Sequence, residues 1–497
     1  MKILTANQIR AADQYTITHE PVVPIDLMER AAKQCVKWLQ SNINSKASVY
    51  VFCGPGNNGG DGLVITRYLA AQEFDVRCFY FASKTASPLF IENLNRLLKP
   101  AIPIQTLNDF PLIKEENAVL IDALFGSGLN RPLDGIVQKL IAYLNTIKAN
   151  KISIDIPSGM FTEFNASNIC FEATHTLSFE LPKLAFLLPE KGNLVGCFHL
   201  LHIGLHPHFL ETVKTPYFFT TKDKIQTLLK PLKTFAHKGT QGHLLLIGGK
   251  ENSMGAMLLS GKAALYSGLG KLTLLTPQCG QSLTQTKLPE AILLPNEGLT
   301  ILEGSFDTTL THIALGPSMG TASKTVDFLA NLLHKAKHPL VVDADALNIL
   351  AQNPLLQKQV PPGSILTPHP KELERWVGPW QGDQEKIEKV KSLSADLKAI
   401  VVLKGAYTMI AFPEGTFWFN STGNPGMATA GCGDVLTGII GSLLAQGYVP
   451  KEAAIIGVFI HGFAGDIAAK KQGKRAVIAS SIVEYIPMAF KSLEINT

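Results

Sequence analysis

The chain has 497 residues, of which 46% are hydrophobic and only 17% charged. A disordered chain needs low hydrophobicity and high charge, so this composition excludes one. The formal net charge of +5, from 45 Lys+Arg against 40 Asp+Glu, is too small for an obvious nucleic-acid or membrane surface.

The length predicts two or three domains with sizeable cores. A positive mean hydropathy raises a membrane question, but the apolar stretches do not support a span. Ala453–Ala469 is interrupted by His461 and Asp466, and Val435–Ala445 falls short of the roughly 20 residues a spanning helix needs. Met1–Arg30 mixes Lys2, Arg10, Asp13, Glu20 and Asp26 with polar residues, so no leader is expected. Cysteines 35, 53, 78, 170, 197, 279 and 432 are odd in number and scattered, with no Cys-x-x-Cys. They read as reduced thiols of a cytoplasmic protein.

Taken in chain order, short β-branched runs precede Gly-rich turns and longer helical patterns. Strands are predicted at Ser48–Cys53, Ala118–Ile121 and Lys151–Ile154 in the first half. In the second half they are predicted at His243–Ile247, Lys271–Leu275, His312–Leu315, Pro339–Val342 and Ile400–Leu403. This alternation indicates parallel α/β sheets, whose strands are buried on both faces and account for the positive hydropathy. Pro207, Pro216, Pro231 and the polar stretch Thr220–Lys224 mark a seam. A boundary is expected near residues 215–222, giving domains 1–214 and 222–497.

In the first half, the strand ending at Cys53 runs into Gly54-Pro55-Gly56-Asn57-Asn58-Gly59-Gly60-Asp61-Gly62. Its glycines permit close backbone approach and positive φ, and the two Asn tolerate left-handed conformations. A strand, a Gly-rich turn and a following helix make an anion site. The spacing departs from G-x-G-x-x-G, so an ordinary dinucleotide dehydrogenase is not implied. Asp122 and Asp155 end two further strands, where ligands of an open α/β sheet gather. Oxygens of Asn58, Asp122 and Ser158 suit a hard cation. Pro24-Ile25-Asp26-Leu27-Met28-Glu29-Arg30-Ala31, the Gly-Asn-Asn-Gly-Gly-Asp-Gly run, Asp122-Ala-Leu-Phe-Gly-Ser-Gly and Asp155-Ile-Pro-Ser-Gly resemble the YjeF N-terminal family of NAD(P)H-hydrate epimerases. The resemblance spans residues 1–214 and implies a Rossmann-like three-layer domain. It implies hydrate binding by Asn57, Asn58, Gly59, Gly60, Asp61, Gly126, Ser127, Gly128, Leu129, Asn130, Arg131, Pro132 and Asp155. It also implies K+ held by Asn58, Asp122 and Ser158, with Asp155 shuttling the proton that loosens C6 of the hydrated nicotinamide.

In the second half, Asn424–Asp434 ends in Gly431-Cys432-Gly433-Asp434. Behind it Val435, Leu436, Ile439, Ile440, Leu443 and Leu444 recur at helical spacing. Asp434 therefore opens a helix whose N-terminus stabilises anions, where it can take a proton from an attacking hydroxyl. Lys404, beside Gly405, suits phosphate or adenine-side contacts. Asp343, Asp345 and Asn348 add polar groups near another strand end. His369 stands between Pro368 and Pro370, as either a fixed structural His or a ligand contact.

With His237-Lys-Gly-Thr, Ile247-Gly-Gly, Ser267-Gly-Leu-Gly, Pro289-Glu-Ala and His461-Gly-Phe-Ala-Gly-Asp, these stretches resemble the ribokinase-like superfamily, nearest its ADP-dependent NAD(P)H-hydrate dehydratases. Over residues 222–490 the resemblance implies ADP binding at Lys404, Gly405, Ala406, Tyr407, Thr408 and Gly433. It implies hydrate binding near Met257, Ser318, His369 and Asp434, with Asp434 as base and Mg2+ on the phosphates. Cys432 stands where the family commonly has Thr, Ser318 where it commonly has Gly, and Met257 where a small residue is usual.

The expected ligands are thus NADHX, NADPHX and ADP, in a homo-oligomer that engages neither nucleic acid nor membrane. A metabolite kinase with an N-terminal binding module is the alternative, and a partner-binding role for the first half is a third reading. His199, His202, His206 and His208 look like a metal cluster. On a strand 199 and 202 face opposite sides, and no nearby Cys pair or carboxylate completes a site, so no metal is expected there. Lys183 closes a family-like Glu180-Leu-Pro-Lys stretch with no role assigned.

Overall fold

A computed structural model of the chain describes residues 1–165, 169–306, 310 and 312–494. The chain divides into two compact units, residues 2–215 and the remainder from Pro216 with Met1.

The N-terminal unit carries seven strands: β1 (Ser48–Cys53), β2 (Asp75–Tyr80), β3 (Ile102–Pro103), β4 (Val119–Ala123), β5 (Asn150–Ile154), β6 (His175–Phe179) and β7 (Cys197–Leu201). They form one sheet in the order β3-β2-β1-β4-β5-β6-β7, parallel throughout. Alternate residues of β1 enter opposite cores. Val49, Val51 and Cys53 pack with helices Pro24–Asn42 and Asn57–Ala71, while Tyr50 and Phe52 pack with helix Gly135–Thr146. That is a three-layer α/β arrangement, and it explains why β1 reads as a continuous apolar run. β1, β4 and β5 are neighbours, so their carboxyl ends place Gly54, Asp122 and Asp155 side by side.

The C-terminal unit carries β8 (Tyr217–Phe219), β9 (His243–Ile247), β10 (Lys271–Leu275), β11 (Ala291–Leu294), β12 (His312–Leu315), β13 (Leu340–Val342), β14 (Ile365–Leu366), β15 (Ile400–Leu403), β16 (Met409–Ala411) and β17 (Phe417–Phe419). The order is β11-β10-β9-β12-β13-β14-β15-β16-β17-β8. Pairing is parallel from β11 to β15, then antiparallel through β16 and β17. Helices Gly255–Tyr266, Cys432–Ala445, Pro450–Gln472 and Ala479–Lys491 share one apolar core with this sheet. Helix Cys432–Ala445 is buried all round rather than along one stripe. Gly438 permits this, since a Cβ there would lie 2.0 Å from the Ser260 carbonyl oxygen. Helix Pro450–Gln472 is long and apolar enough, by length and composition, to cross a membrane, but 67% of its apolar window is buried inside the protein. His461 and Asp466, which interrupt its apolar run, both lie within the helix.

The eight predicted strands are present, five with the stated bounds and the other three shifted by one or two residues. The edge and short strands β2, β3, β6, β7, β8, β11, β16 and β17 were not anticipated, because their runs are polar or only a few residues long.

Candidate active sites

In the N-terminal unit the Gly-rich segment is mostly helix. The turn is only Gly54–Gly56, and Asn57–Gly62 already form the first turns of helix Asn57–Ala71. None of these glycines has positive φ, which corrects the sequence expectation. They serve close approach instead. A Cβ at Gly54 would sit 1.9 Å from the Leu124 carbonyl oxygen, and one at Gly59 would sit 1.7 Å from that of Gly54. Gly60 faces the Met28 thioether and Gly62 faces Ala123 and Cys53. Gly59 and Gly60 are therefore packing positions, where an added side chain would strike the Gly54 backbone or the Met28 thioether. Asn57 is exposed, Asn58 and Asp61 are buried, and Gly128, Asn130, Arg131 and Pro132 form an exposed loop beside the half-buried Gly126, Ser127 and Leu129.

Asp122 is fully buried and both its oxygens are engaged. Oδ1 accepts from the Ser158 hydroxyl (2.6 Å) and the Leu124 N–H (3.2 Å); Oδ2 accepts from the Ser153 hydroxyl (3.0 Å) and the Ser158 N–H (2.8 Å). Burial raises its pKa despite these bonds, and no ion pair to it is found among the described residues. Ser158 also accepts from the Phe125 N–H at 2.8 Å. Beside this group lies the Asn58 amide, buried with neither its oxygen nor its nitrogen bonded, against the backbone of Gly126.

Asp155 directly follows β5 and takes φ +66°, a strained value for a non-glycine residue. Its Oδ1 pairs with Lys183 Nζ at 2.5 Å, and its Oδ2 accepts from the Ser127 N–H at 3.1 Å. Lys183 is 1% exposed and also donates to the Ser178 hydroxyl at 2.6 Å. Burial raises the Asp155 pKa, but the Lys183 ammonium outweighs it and holds the carboxyl below its ordinary value. Two more carboxyls feel this charge. Burial and the Asp155 charge push Asp13 up to about 7. Burial, Asp155 and Asp13 push Asp61 well above its ordinary value. The site thus holds one ionised carboxylate paired to a lysine, beside two carboxyls that favour the protonated form. Lys183 and Asp13 had no role in the sequence reading; Asp13 sits on helix Ala6–His19, far in sequence from every glycine turn.

In the C-terminal unit Asp343, 2% exposed, is the hub. Its Oδ1 accepts from Lys404 Nζ (2.8 Å) and the Thr367 hydroxyl (2.7 Å), and its Oδ2 from the Thr437 hydroxyl (2.7 Å). Burial raises its pKa, but Lys404 brings it below the ordinary value. Glu372 Oε2 lies 3.9 Å from Lys404 Nζ, and burial raises the Glu372 pKa. Gly433 makes room for this lysine, since a Cβ there would meet Lys404 Nζ at 3.2 Å. Gly431 caps the helix at φ +87°, where glycine is strain-free. Asp434 sits in the first helical turn, and burial, reinforced by the Asp343 charge, raises its pKa from 3.8 to about 7. Asp466 holds the approach to this turn by accepting from the Gly423 N–H and the Asn424 amide, each at 2.9 Å.

The remaining expected residues divide. Lys404–Thr408 is the hairpin turn between β15 and β16, closed by the Thr408 hydroxyl on the Gly405 carbonyl at 3.0 Å, with Gly405 and Ala406 exposed and Tyr407 at φ +51°. His369 caps helix Pro370–Val377: its Nδ1 accepts from the N–H groups of Lys371 (3.1 Å) and Glu372 (3.3 Å), and its Nε2 lies 3.4 Å from Glu372. Ser318 takes φ +50° and bonds Ser253 at 2.8 Å, two residues from the Gly320 N–H that donates to Asp345. Asp345 in turn raises the Asp434 pKa, after burial and Asp343. Met257 lies inside the unit. It is wholly buried beneath the Gly248–Gly249 turn, so its side chain packs in the core.

Residues 24–185 match the family model described as YjeF-related protein N-terminus, and residues 244–488 match that described as NAD(P)H-hydrate dehydratase. Over nearly its full length the chain is similar to two bifunctional NAD(P)H-hydrate repair enzymes. The one from Thermofilum pendens is 34% identical, with 99% of this chain and 97% of that one covered. The one from Moorella thermoacetica is 32% identical with the same coverage. The C-terminal unit is also similar to the solved ADP/ATP-dependent NAD(P)H-hydrate dehydratase from Bacillus subtilis, co-crystallised with ATP/Mg2+. That structure is 31% identical, with 56% of this chain and 99% of that chain covered, at a TM-score of 0.48.

Proposed function

The chain belongs to the family of bifunctional NAD(P)H-hydrate repair enzymes, and we propose from its two sites that it performs both steps of that repair. The N-terminal unit interconverts the R and S epimers of NAD(P)HX. The C-terminal unit dehydrates the S epimer to NAD(P)H, converting ADP to AMP and phosphate.

In the N-terminal unit the supporting observation is the buried Asp155–Lys183 pair. Asp155, kept ionised by Lys183, accepts the proton of the C6 hydroxyl. The C6–N1 bond opens to an aldehyde, and its electron pair passes to N1, conjugated with the ring carboxamide. Rotation and re-closure on the opposite face invert C6, and the proton returns. Asn58, Asp122 and Ser158 fit a K+ ion, because a buried carboxylate without a cationic partner lies beside an orphaned amide. When bound, the ion would supply the positive charge that the Asp122 carboxylate lacks.

In the C-terminal unit the supporting observation is Asp434, a carboxyl with a pKa of about 7 at a helix N-terminus beside the Asp343–Lys404 pair. Asp434 takes the C6 hydroxyl proton as that oxygen attacks the terminal phosphorus of ADP, and AMP leaves. Lys404 and the N–H groups after Gly431 balance the charge on the transferring phosphoryl group. The N1 lone pair then expels phosphate, and loss of a C5 proton restores the dihydropyridine. Asp345 and Glu372 are oxygen donors of the hardness Mg2+ takes, and the ion would neutralise phosphate charge when bound. The expected setting is the cytoplasm, as a homo-oligomer, which light scattering tests.

The deciding experiment incubates the purified protein with both NADHX epimers and ADP. Consumption of both epimers with equimolar AMP and NADH supports the proposal. Consumption of the S form alone removes the epimerase, and a phosphorylated metabolite in place of NADH supports the kinase alternative.

A further inference from the structure

The four histidines that looked like a cluster in the sequence do not converge: His202 pairs with Glu180 at 3.1 Å, and His206 sits against the Tyr15 ring. A different donor set does converge. β6 and β7 pair in parallel with His175 opposite Cys197 and Leu177 opposite His199. Residues two apart on a strand share a face, so His175, Cys197 and His199 project from one side of the sheet. One donor atom from each lies within 4.8 Å of the others, and His175 Nδ1 is 3.1 Å from His199 Nε2. On a tetrahedral zinc ion two imidazole nitrogens stand about 3.3 Å apart and a nitrogen and a thiolate about 3.6 Å, so the set needs only small rotamer adjustments.

We infer that His175, Cys197 and His199 form a site for a borderline divalent cation of the Zn2+ class, with solvent in the fourth position. The donor chemistry selects this class: two imidazoles and a thiolate suit Zn2+ and Co2+, whereas Mg2+ and K+ take oxygen. Cys197 is exposed, which leaves an entry path, while both imidazoles are half-buried and held by Trp38, whose ring lies 5.1 Å from His175 and 4.8 Å from His199. β7 is a sheet edge, so the ion ties the last two strands together. His175 begins β6, whereas Lys183 follows its far end, so this site is separate from the Asp155 centre. Binding releases the thiol proton and breaks the His175–His199 hydrogen bond.

The test is titration of the full-length metal-free protein with Co2+. One equivalent is expected to give visible d–d bands and a thiolate-to-metal charge-transfer band, to quench Trp38 emission, and to be displaced by Zn2+. Cys197→Ser, on the exposed edge, should fold as wild type by circular dichroism, lose the charge-transfer band and bind Zn2+ at least about tenfold more weakly. His199→Ala should weaken binding to a similar degree, and Trp38→Phe should bind metal but lose the quenched component. Absence of the charge-transfer band in the wild type overturns the inference. So does undiminished Zn2+ affinity in either the Cys197→Ser or the His199→Ala protein.

Discussion

Replacing Asp434 by Asn tests the dehydratase site through stability as well as rate. The Asp434 carboxyl lies at about 7 instead of 3.8, because burial and the Asp343 charge oppose its ionisation. Below about pH 4 it is protonated in both the folded and unfolded chain and costs nothing. Between pH 4 and 7 the unfolded chain ionises first, so stability falls as pH rises; above 7 the full penalty remains. That penalty is at most about 4 kcal/mol, and partial solvent access trims it to about 2–4. Asn mimics the protonated form and escapes it. Asp434→Asn should therefore match wild type near pH 4 and melt about 4–8 °C higher at pH 8.5, at about 2 °C per kcal/mol for a unit of this size. Calorimetry at the two pH values reads this difference. Dehydration by the variant should fall by at least about a hundredfold, and the wild-type rate should rise with pH through about 7 as the base ionises. An equal melting difference at both pH values would refute the argument, since the carboxyl would then carry no special proton affinity.

Three further outcomes follow from the N-terminal unit. Asp155→Asn should abolish epimerisation of a purified single epimer and, by stranding Lys183 in the interior, cost about 3–5 kcal/mol in urea unfolding; adding Lys183→Met should restore stability but not epimerisation. Gly59→Ala should destabilise by more than about 3 kcal/mol, because its Cβ has backbone 1.7 Å away, whereas Gly56→Ala, with nothing within 4 Å, should be near neutral by the same denaturation assay. K+ should raise the melting temperature of the wild type relative to choline, and Asp122→Asn or Asn58→Leu should abolish that difference.

Much of this was legible from residues alone, for definable reasons. β1, β9, β10, β12 and β15 lie inside parallel sheets, so burial on both faces writes them as apolar runs. Asp122, Asp155 and Asp434 were found because each follows such a run or opens the helix behind a glycine turn. The helix start at Asn57 was hidden by glycines that a free helix would disfavour but packing against Gly54 demands. Strands β6 and β7 alternate His, Thr, Ser and Cys with apolar residues, so they carried no run to detect. With them went Lys183 and the partners of His199. Asp13 left no local signal at all, because only the tertiary fold sets it within reach of the Asp155 charge.

The long helix Pro450–Gln472 carries a cost that arises before the fold exists. It is covered by helices Cys432–Ala445 and Ala479–Lys491, and the second of these is synthesised after it. At about 5–20 residues per second, the apolar window is complete about a second or more before its last cover is synthesised. Until then the window has only helix Cys432–Ala445 of these two to pack against. His461 and Asp466 interrupt the apolar run of that segment while it waits.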